Sequence, residues 1–578
     1  MPYQPDKARH RAVGDFMPGV MLAVVVIASA VILAHLAVVL WLAWTSGSPG
    51  DADLAYTTKN FVEIFSDPRT FAVLIDTLAF ALTALAVALA FGIPIAWLAE
   101  RTDFLAKTLL FTLMAVGLLI PGFAAAMGWL FLLHPRIGLL NQLLIGAFHL
   151  AGPPLDITGI AGMGFVQGLN LAPLAFIMTA AVFRSLDPTL EEAARIHGAG
   201  GLTVLRRITL RLAWPGILAA AIYVFMTAFA AFDVPAIIGW GNRVFTFTTY
   251  LYLLLNPQDT LPRYGMGAAL STVAMAIAAL MSAWYGLMQR RSRRFAVVTG
   301  KAYRPKIMRL GRARTAAWGF VALYLLLGKV LPIALLTWSS LLPFFQLPSA
   351  RAFATMSLAH YGSLPWDLVA SGLWNTSILA VLTPSLTLAV SLAFSWVVLR
   401  SKFPGRAGFD FIAFLPHAVP SIIFGVGALL LTLFVIQRAL AIYGTVWILL
   451  IVFTIARLSY GTRMTNSGLI QIHGELEESA LMCGASRWRA LARISLPLIA
   501  PTLLYGWLWI ALLIFRELTL AVILTTGDNL TFPVVVWSLW LGGGLGQASA
   551  LAMVMLLMMT PMIVIYWLVA RRQGLLAA

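Results

Sequence analysis

Two ten-residue stretches hold the chain's densest grouping of acidic, small and helix-ending residues. Leu190-Glu191-Glu192-Ala193-Ala194-Arg195-Ile196-His197-Gly198-Ala199 aligns with Leu476-Glu477-Glu478-Ser479-Ala480-Leu481-Met482-Cys483-Gly484-Ala485 at an offset of 286 residues. Each reads as a short capped helix. Asp187-Pro188 suits the start of the first, because Asp accepts free N–H groups and Pro fits the first helical position. The glutamates lie near the positive end of the helix dipole. The alanines permit close approach, and Gly198 and Gly484 suit a left-handed cap. Ser486, with Gly200 as its counterpart, can cap a second short helix. The chemistry is recognition, not bond-making: a rigid helix offering carboxylates and a small-residue face to another surface. One such loop taken alone fits an amphipathic segment lying on lipid; two copies in equivalent places argue against that.

A second set of polar residues lies in or near apolar stretches: Asp76, Asp233, Lys329, Arg457, Arg516 and Glu517. Charges in lipid are costly and invite a functional reading, although snorkelling accounts for those near span ends. Asp233, Arg516 and Glu517 are candidate pathway residues. Pro121 and Pro420 occupy matching places and mark kinks, which suit a pathway lining or plain helix packing equally. Other chemistry is excluded. No phosphate-binding Gly-x4-Gly-Lys-Ser/Thr sequence occurs, and Gly300-Lys301 lacks both the upstream glycine and the hydroxyl. The 8 histidines are scattered without metal-ligand spacing, and His35 and His417 read as satisfied or lumen-facing. The single cysteine, Cys483, excludes an internal disulfide and a cysteine cluster. No catalytic, cofactor-binding or metal-binding residue is therefore expected, and any nucleotide must bind another chain.

These residues need elements to hold them. The 578 residues are 61% hydrophobic and 11% charged, far from the roughly 25% charge of soluble domains. A water-soluble, disordered or fibrous chain is excluded; the expectation is an all-α polytopic membrane protein. About twelve apolar stretches are long enough to cross a bilayer: 18–45, 71–99, 107–133, 157–183, 213–239, 264–288, 315–341, 371–399, 409–436, 444–469, 498–524 and 546–570. The net charge of +17 would suit nucleic acid in a soluble protein, but here it sorts by loop. Most Lys and Arg fall in alternate segments, including Lys7 to Arg11, Arg184 to Arg211, Arg290 to Arg314 and Arg487 to Arg493. That pattern places both termini and both glutamate-rich loops in the cytoplasm. No nucleic-acid partner is expected, and the bilayer is the solvent.

The chain also repeats itself upstream of these loops. Trp97, Arg101, Phe104, Pro121 and Gly128 match Trp396, Arg400, Phe403, Pro420 and Gly427 at an offset of 299. An even number of spans per repeat gives two tandem six-helix halves related by a pseudo-two-fold axis along the membrane normal. The expected organisation is an N-terminal segment with the first span (1–70), a first repeat unit (71–288) and a basic cytoplasmic linker (289–314). A seventh span with an outside loop (315–370), a second unit (371–570) and a cytoplasmic tail (571–578) follow.

The loop pattern Glu-Ala-Ala-x3-Gly-x9-Ile-x-Leu-Pro resembles the signature of the membrane subunits of binding-protein-dependent ABC importers. The first copy supplies Glu192, Ala193, Ala194, Gly198, Ile208 and Leu210, with Arg211 where Pro is expected. The second supplies Glu478, Ala480, Gly484, Ile494, Leu496 and Pro497, with Ser479 for the first Ala. The fused arrangement, with Arg516-Glu517-Leu518, is similar to permeases of ferric iron and thiamine importers. The resemblance implies a non-catalytic permease of the bacterial inner membrane. It implies two partners: a dimer of ATP-hydrolysing subunits and an extracytoplasmic binding protein. Ferric iron is the expected substrate, with thiamine, a polyamine or a phosphonate as alternatives. Glu191, Glu192, Ala193, Ala194, Gly198 and Ala199, and Glu477, Glu478, Ser479, Ala480, Gly484 and Ala485, would form the coupling surfaces for the ATPases. A twelve-span secondary transporter is the rival class, but it leaves the paired loops unexplained.

Overall fold

The computed structural model describes residues 16–46, 54–187, 189–257, 260–293, 308–437 and 440–572. Pro188, Lys7 to Arg11, most of the basic linker and most of the tail lie outside the described residues.

Among the described residues, ten helices are long and apolar enough to cross a membrane, and two sharply bent helix pairs bring the number to twelve if each pair is one span. Apolar side chains such as Ile27, Ile75, Leu280 and Leu557 point outward. That is the expected arrangement where the surrounding solvent is hydrocarbon and every backbone polar group must be satisfied within helices. The second span (Pro68–Arg101) packs along the fourth (Ile160–Ser185), and the eighth (Trp366–Arg400) along the tenth (Val446–Ile470). The first pair closes through small residues, the usual means of bringing membrane helices together: a Cβ on Gly168 would lie 2.5 Å from Val87 Cβ.

Three features depart from the sequence expectation. The third and ninth spans are broken, not kinked. Lys107–Gly117 meets Gly122–Leu133 at 92°, and Arg406–Ala418 meets Ser421–Ile436 at 102°. Pro121 and Pro420 sit at the breaks, where proline withholds its N–H and restricts the preceding residue. The fifth and eleventh spans end at Phe229 and Phe515, short of the expected 239 and 524; polar breaks carrying Asp233 and Arg516-Glu517 follow them. The segment between the third and fourth spans folds a further helix, Leu139–Phe148.

The halves also exchange their leading spans. The first span (Met17–Ala43) packs on the sixth, eighth and ninth, and the seventh (Ala313–Leu341) packs on the third and twelfth. Repeat-equivalent glycines make the close approach. A Cβ on Gly128 would overlap the Pro332 carbonyl of the seventh span, and one on Gly427 would overlap the His35 carbonyl of the first. Hydropathy identifies a span but not the half it packs against, so this exchange was not legible in the sequence.

Candidate functional site

The first motif helix is Thr189–Ile196 and the second Gly474–Met482. Asp187 accepts the Thr189 N–H at 2.9 Å, as its capping role requires. Gly198 and Gly484 adopt φ of +84° and +83°. The Ala199 N–H then reaches the Ala194 carbonyl, and the Ala485 N–H the Ala480 carbonyl, each at 3.0 Å. This is the glycine-dependent helix stop. Ser486 accepts the Arg489 N–H at 3.3 Å and caps the second short helix. Both chains of short helix enter the next span through a π-turn, Leu205–Thr209 and Leu491–Ser495, again at equivalent positions.

The predicted coupling residues divide by face. Ala193, Gly198, Glu478, Ser479 and Gly484 are exposed; Glu192, Ala194, Ala199, Ala480 and Ala485 are partly so. Ser479 turns its hydroxyl back onto the Glu475 carbonyl at 2.7 Å. Exposed apolar side chains accompany them at matching places: Leu190 and Leu476 at 51% and 50%, Ile196 and Met482 at 84% and 89%. Glu191 and Glu477 do not join this face. Glu191 is buried, and its carboxylate accepts the Thr209 hydroxyl at 2.8 Å and lies 3.9 Å from the Arg101 guanidinium. Glu477 accepts the Ser495 hydroxyl at 2.6 Å and lies 3.4 Å from Arg400. The helix period explains the split, since adjacent residues point about 100° apart.

The end of the linker closes against the first half's loop. Met308 exchanges backbone hydrogen bonds with Arg101 and Asp103, each 3.0 Å. The Asp103 carboxylate accepts the Leu310 N–H at 2.8 Å and the Arg314 guanidinium at 2.7 Å. The Leu310 N–H above all, and then Arg314, hold the Asp103 carboxyl below its ordinary value.

The predicted pathway residues converge. A cavity of about 380 Å³ lies between the halves and is lined by both. Its wall includes Asp233, Pro420, Arg516 and Glu517; Pro121 itself is buried behind its neighbours Ile120 and Gly122, which do face the cavity. The break in the third span frees carbonyls that cations occupy: Lys329 Nζ donates to Gly117 O at 2.8 Å, and Arg516 Nη1 to Ile120 O at 3.0 Å. Cations suit the negative end of the half-helix that finishes there. Asp233 lies beside Gly122, at the positive end of the next half-helix, and accepts the Thr519 hydroxyl at 3.2 Å. Arg457 pairs with Glu517. Lys329, Arg457 and Arg516 therefore have fixed partners and are not snorkelling. His35 is satisfied by the Val31 carbonyl at 2.6 Å, whereas His417 lines the cavity, stacked on Tyr223 with ring centroids 5.1 Å apart. No group of three or more His, Cys, Asp or Glu among the described residues could hold a metal ion.

Sequence reasoning missed Tyr223 and Tyr460 on the cavity wall and the bracing roles of Arg101 and Arg400, and it flagged Arg457 only as a charge in a span. The bracing arginines carried a signal, since they match at the 299 offset. The two tyrosines carried none, because they meet the other cavity residues only when the halves close.

The family profile described as binding-protein-dependent transport system inner membrane component matches residues 88–294 and again 385–574. The ferric transport system permease protein FbpB of Actinobacillus pleuropneumoniae is 24% identical over 486 residues, covering 83% of this chain and 68% of its own. The Fe(3+)-transport system permease protein FbpB 2 of Haemophilus influenzae is 24% identical over 481 residues, covering 82% of this chain and 85% of its own.

Proposed function

Because the chain belongs to the family of binding-protein-dependent transport system inner membrane components, we propose that it carries ferric iron through the bacterial inner membrane as the fused permease of an ABC importer. Two relatives that each cover more than four fifths of it are named ferric transport permeases. The two halves form the pathway, and the cavity between them is its closed midpoint. ATP is hydrolysed on a separate pair of subunits, and the permease itself catalyses nothing. An extracytoplasmic binding protein delivers the iron at the opposite face, and both termini lie in the cytoplasm with the motif loops.

The observation that carries the reading is the pair of motif helices. With the bent ninth pair counted as one span, six membrane passes separate them, an even number, so one side of the bilayer receives both. Each leaves apolar side chains uncovered at the same two positions, Leu190 and Ile196 in one and Leu476 and Met482 in the other. Paired exposed apolar anchors among charged residues suit protein docking. Two equivalent surfaces suit two copies of one ATPase. Metal capture in the pathway needs no tight site, because the binding protein supplies the affinity.

The test is uptake in vesicles holding the chain, its ATPase and its binding protein. Radiolabelled ferric iron is expected to accumulate with ATP and binding protein present. Accumulation of thiamine or an organophosphonate in place of iron would overturn the substrate and leave the importer; no ATP-dependent uptake of any of them would overturn both.

A further inference from the structure

We propose that Arg101 and Arg400 are positioning residues, each a strut that fixes a motif helix to three spans so that they move as one body. This rests on the reading that the motif helices receive movement from the ATPases, and it adds how that movement leaves the loop.

The geometry is the same twice. Arg101 is the last residue of the second span. Its Nη2 donates to the Phe183 and Leu186 carbonyls at 2.6 and 3.0 Å, at the end of the fourth span. Its Nη1 faces Glu191 in the first turn of the motif helix. Glu191 in turn accepts the hydroxyl of Thr209, the last residue of the π-turn entering the fifth span. In the second half Arg400 ends the eighth span and donates to Leu469 and Ile472 at 3.1 and 2.8 Å. It faces Glu477, which accepts the Ser495 hydroxyl at the end of the matching π-turn. Every member sits at the repeat-equivalent position.

The residue types are what this geometry demands. A guanidinium presents five donors in a fixed fork and can serve carbonyls and a carboxylate together, which a lysine cannot. Terminal carbonyls of one helix attract a cation, and the first turn of the next favours an anion. The pair sits away from solvent, with side chains 5% and 7% exposed in the first half and 20% and 16% in the second. Buried charge pairs define geometry strictly, since separating them strands both. On the exposed face retention is partial: Leu190, Glu192 and Gly198 recur as Leu476, Glu478 and Gly484, but Ala193, Arg195 and His197 become Ser479, Leu481 and Cys483. The strut keeps arginine, glutamate and a hydroxyl at every one of its positions, whereas the outer face keeps only some of its own. Glu191 and Glu477 therefore brace the helix from behind and do not contact the ATPase.

The test separates bracing from docking and from folding. The chain is reconstituted with its ATPase and binding protein, carrying E191Q with E477Q, T209V with S495A, or T209S with S495T. Three quantities are read: ATPase co-purification, ATP hydrolysis stimulated by the binding protein, and substrate taken up per ATP. The glutamine pair is expected to retain the ATPase and its hydrolysis while uptake per ATP falls about tenfold, the usual size of a lost coupling interaction. The hydroxyl deletions are expected to lower it about threefold, and the exchanged hydroxyls of T209S with S495T to restore it. Uptake per ATP at the unsubstituted value in the glutamine and deletion variants would overturn the struts alone. Loss of ATPase co-purification in the glutamine variant would also overturn them, by making the glutamates docking residues. An unsubstituted chain that binds no ATPase would overturn the coupling reading, and the struts with it.

Discussion

Replacing Gly484 separates two explanations for a glycine at the end of a docking helix. Its φ of +83° is a left-handed conformation, which an L-residue pays about 1–2 kcal/mol to adopt. A Cβ added there meets nothing within 4 Å, and the same holds at Gly198. Close approach within the chain therefore plays no part. The cost lies in the backbone, and it falls on the Ala485 N–H to Ala480 carbonyl bond that closes the helix. A penalty of 1–2 kcal/mol lowers the capped population by a factor of about 5–30. Asparagine tolerates this conformation better than alanine, and valine is worst. Uptake per ATP in reconstituted vesicles should thus fall in the order Gly, Asn, Ala, Val. Ordering by size would give Gly, Ala, and then Asn with Val. A G484N variant weaker than G484A would refute the backbone argument and place the constraint in the partner's groove. Gly198 should give the same order.

Three further outcomes follow from the packing. Removing one partner of the Arg457–Glu517 pair, in R457M or E517M, should cost about 3–5 kcal/mol in thermal unfolding, and R457M/E517M less than either single change; a double variant as unstable as the sum would contradict this. The Asp103 carboxyl is held below its ordinary 3.8, so its contribution is complete above that pH and is lost as pH falls through the lowered value. Protection of the Leu310 amide from hydrogen exchange should persist from pH 7 to about pH 4 and fall further down; D103N should lose it at pH 7, and equal protection in both would refute the clasp. G128L and G427L, whose Cβ atoms would meet the Pro332 and His35 carbonyls, should each lower thermal stability by at least about 1–3 kcal/mol; unchanged stability in both would refute the exchange of leading spans.

The architecture was legible wherever a signal is local. Twelve apolar stretches, two copies of a capped loop and the glycine stops at 198 and 484 are properties of short windows, and the helices follow them. The prolines at 121 and 420 announced a disturbance, but not its size: a kink and a right-angle break differ in whether other groups take over the freed carbonyls. Here Lys329 and Arg516 do so, and they lie hundreds of residues away. The same distance hid the partners of Arg457 and the wall of the cavity. In the loops, Glu191 and Glu192 are alike in type and adjacent in sequence. Only the hydroxyl at Thr209 and the guanidinium at Arg101 decide which turns inward, and the repeat preserves both as Ser495 and Arg400.

The exchanged leading spans bear on how the chain is made. Roughly 380 residues separate Ala43, at the end of the first span, from Ser421, where its packing partner in the ninth begins; at about 5–20 residues per second, synthesis takes some 20–80 s to supply that partner. During that interval the first span stands in lipid with its inner face partly uncovered, met first by the sixth span and late in the interval by the eighth. The seventh span waits only for its contact with the twelfth, because the third is already in place when it emerges. The newborn chain thus builds its first half around a vacancy that the seventh span fills, while the first span is held in reserve for a half not yet translated. Cutting the chain at the central linker would leave each fragment carrying the other's missing helix, so the fragments should regain a native bundle when produced together and remain incomplete apart.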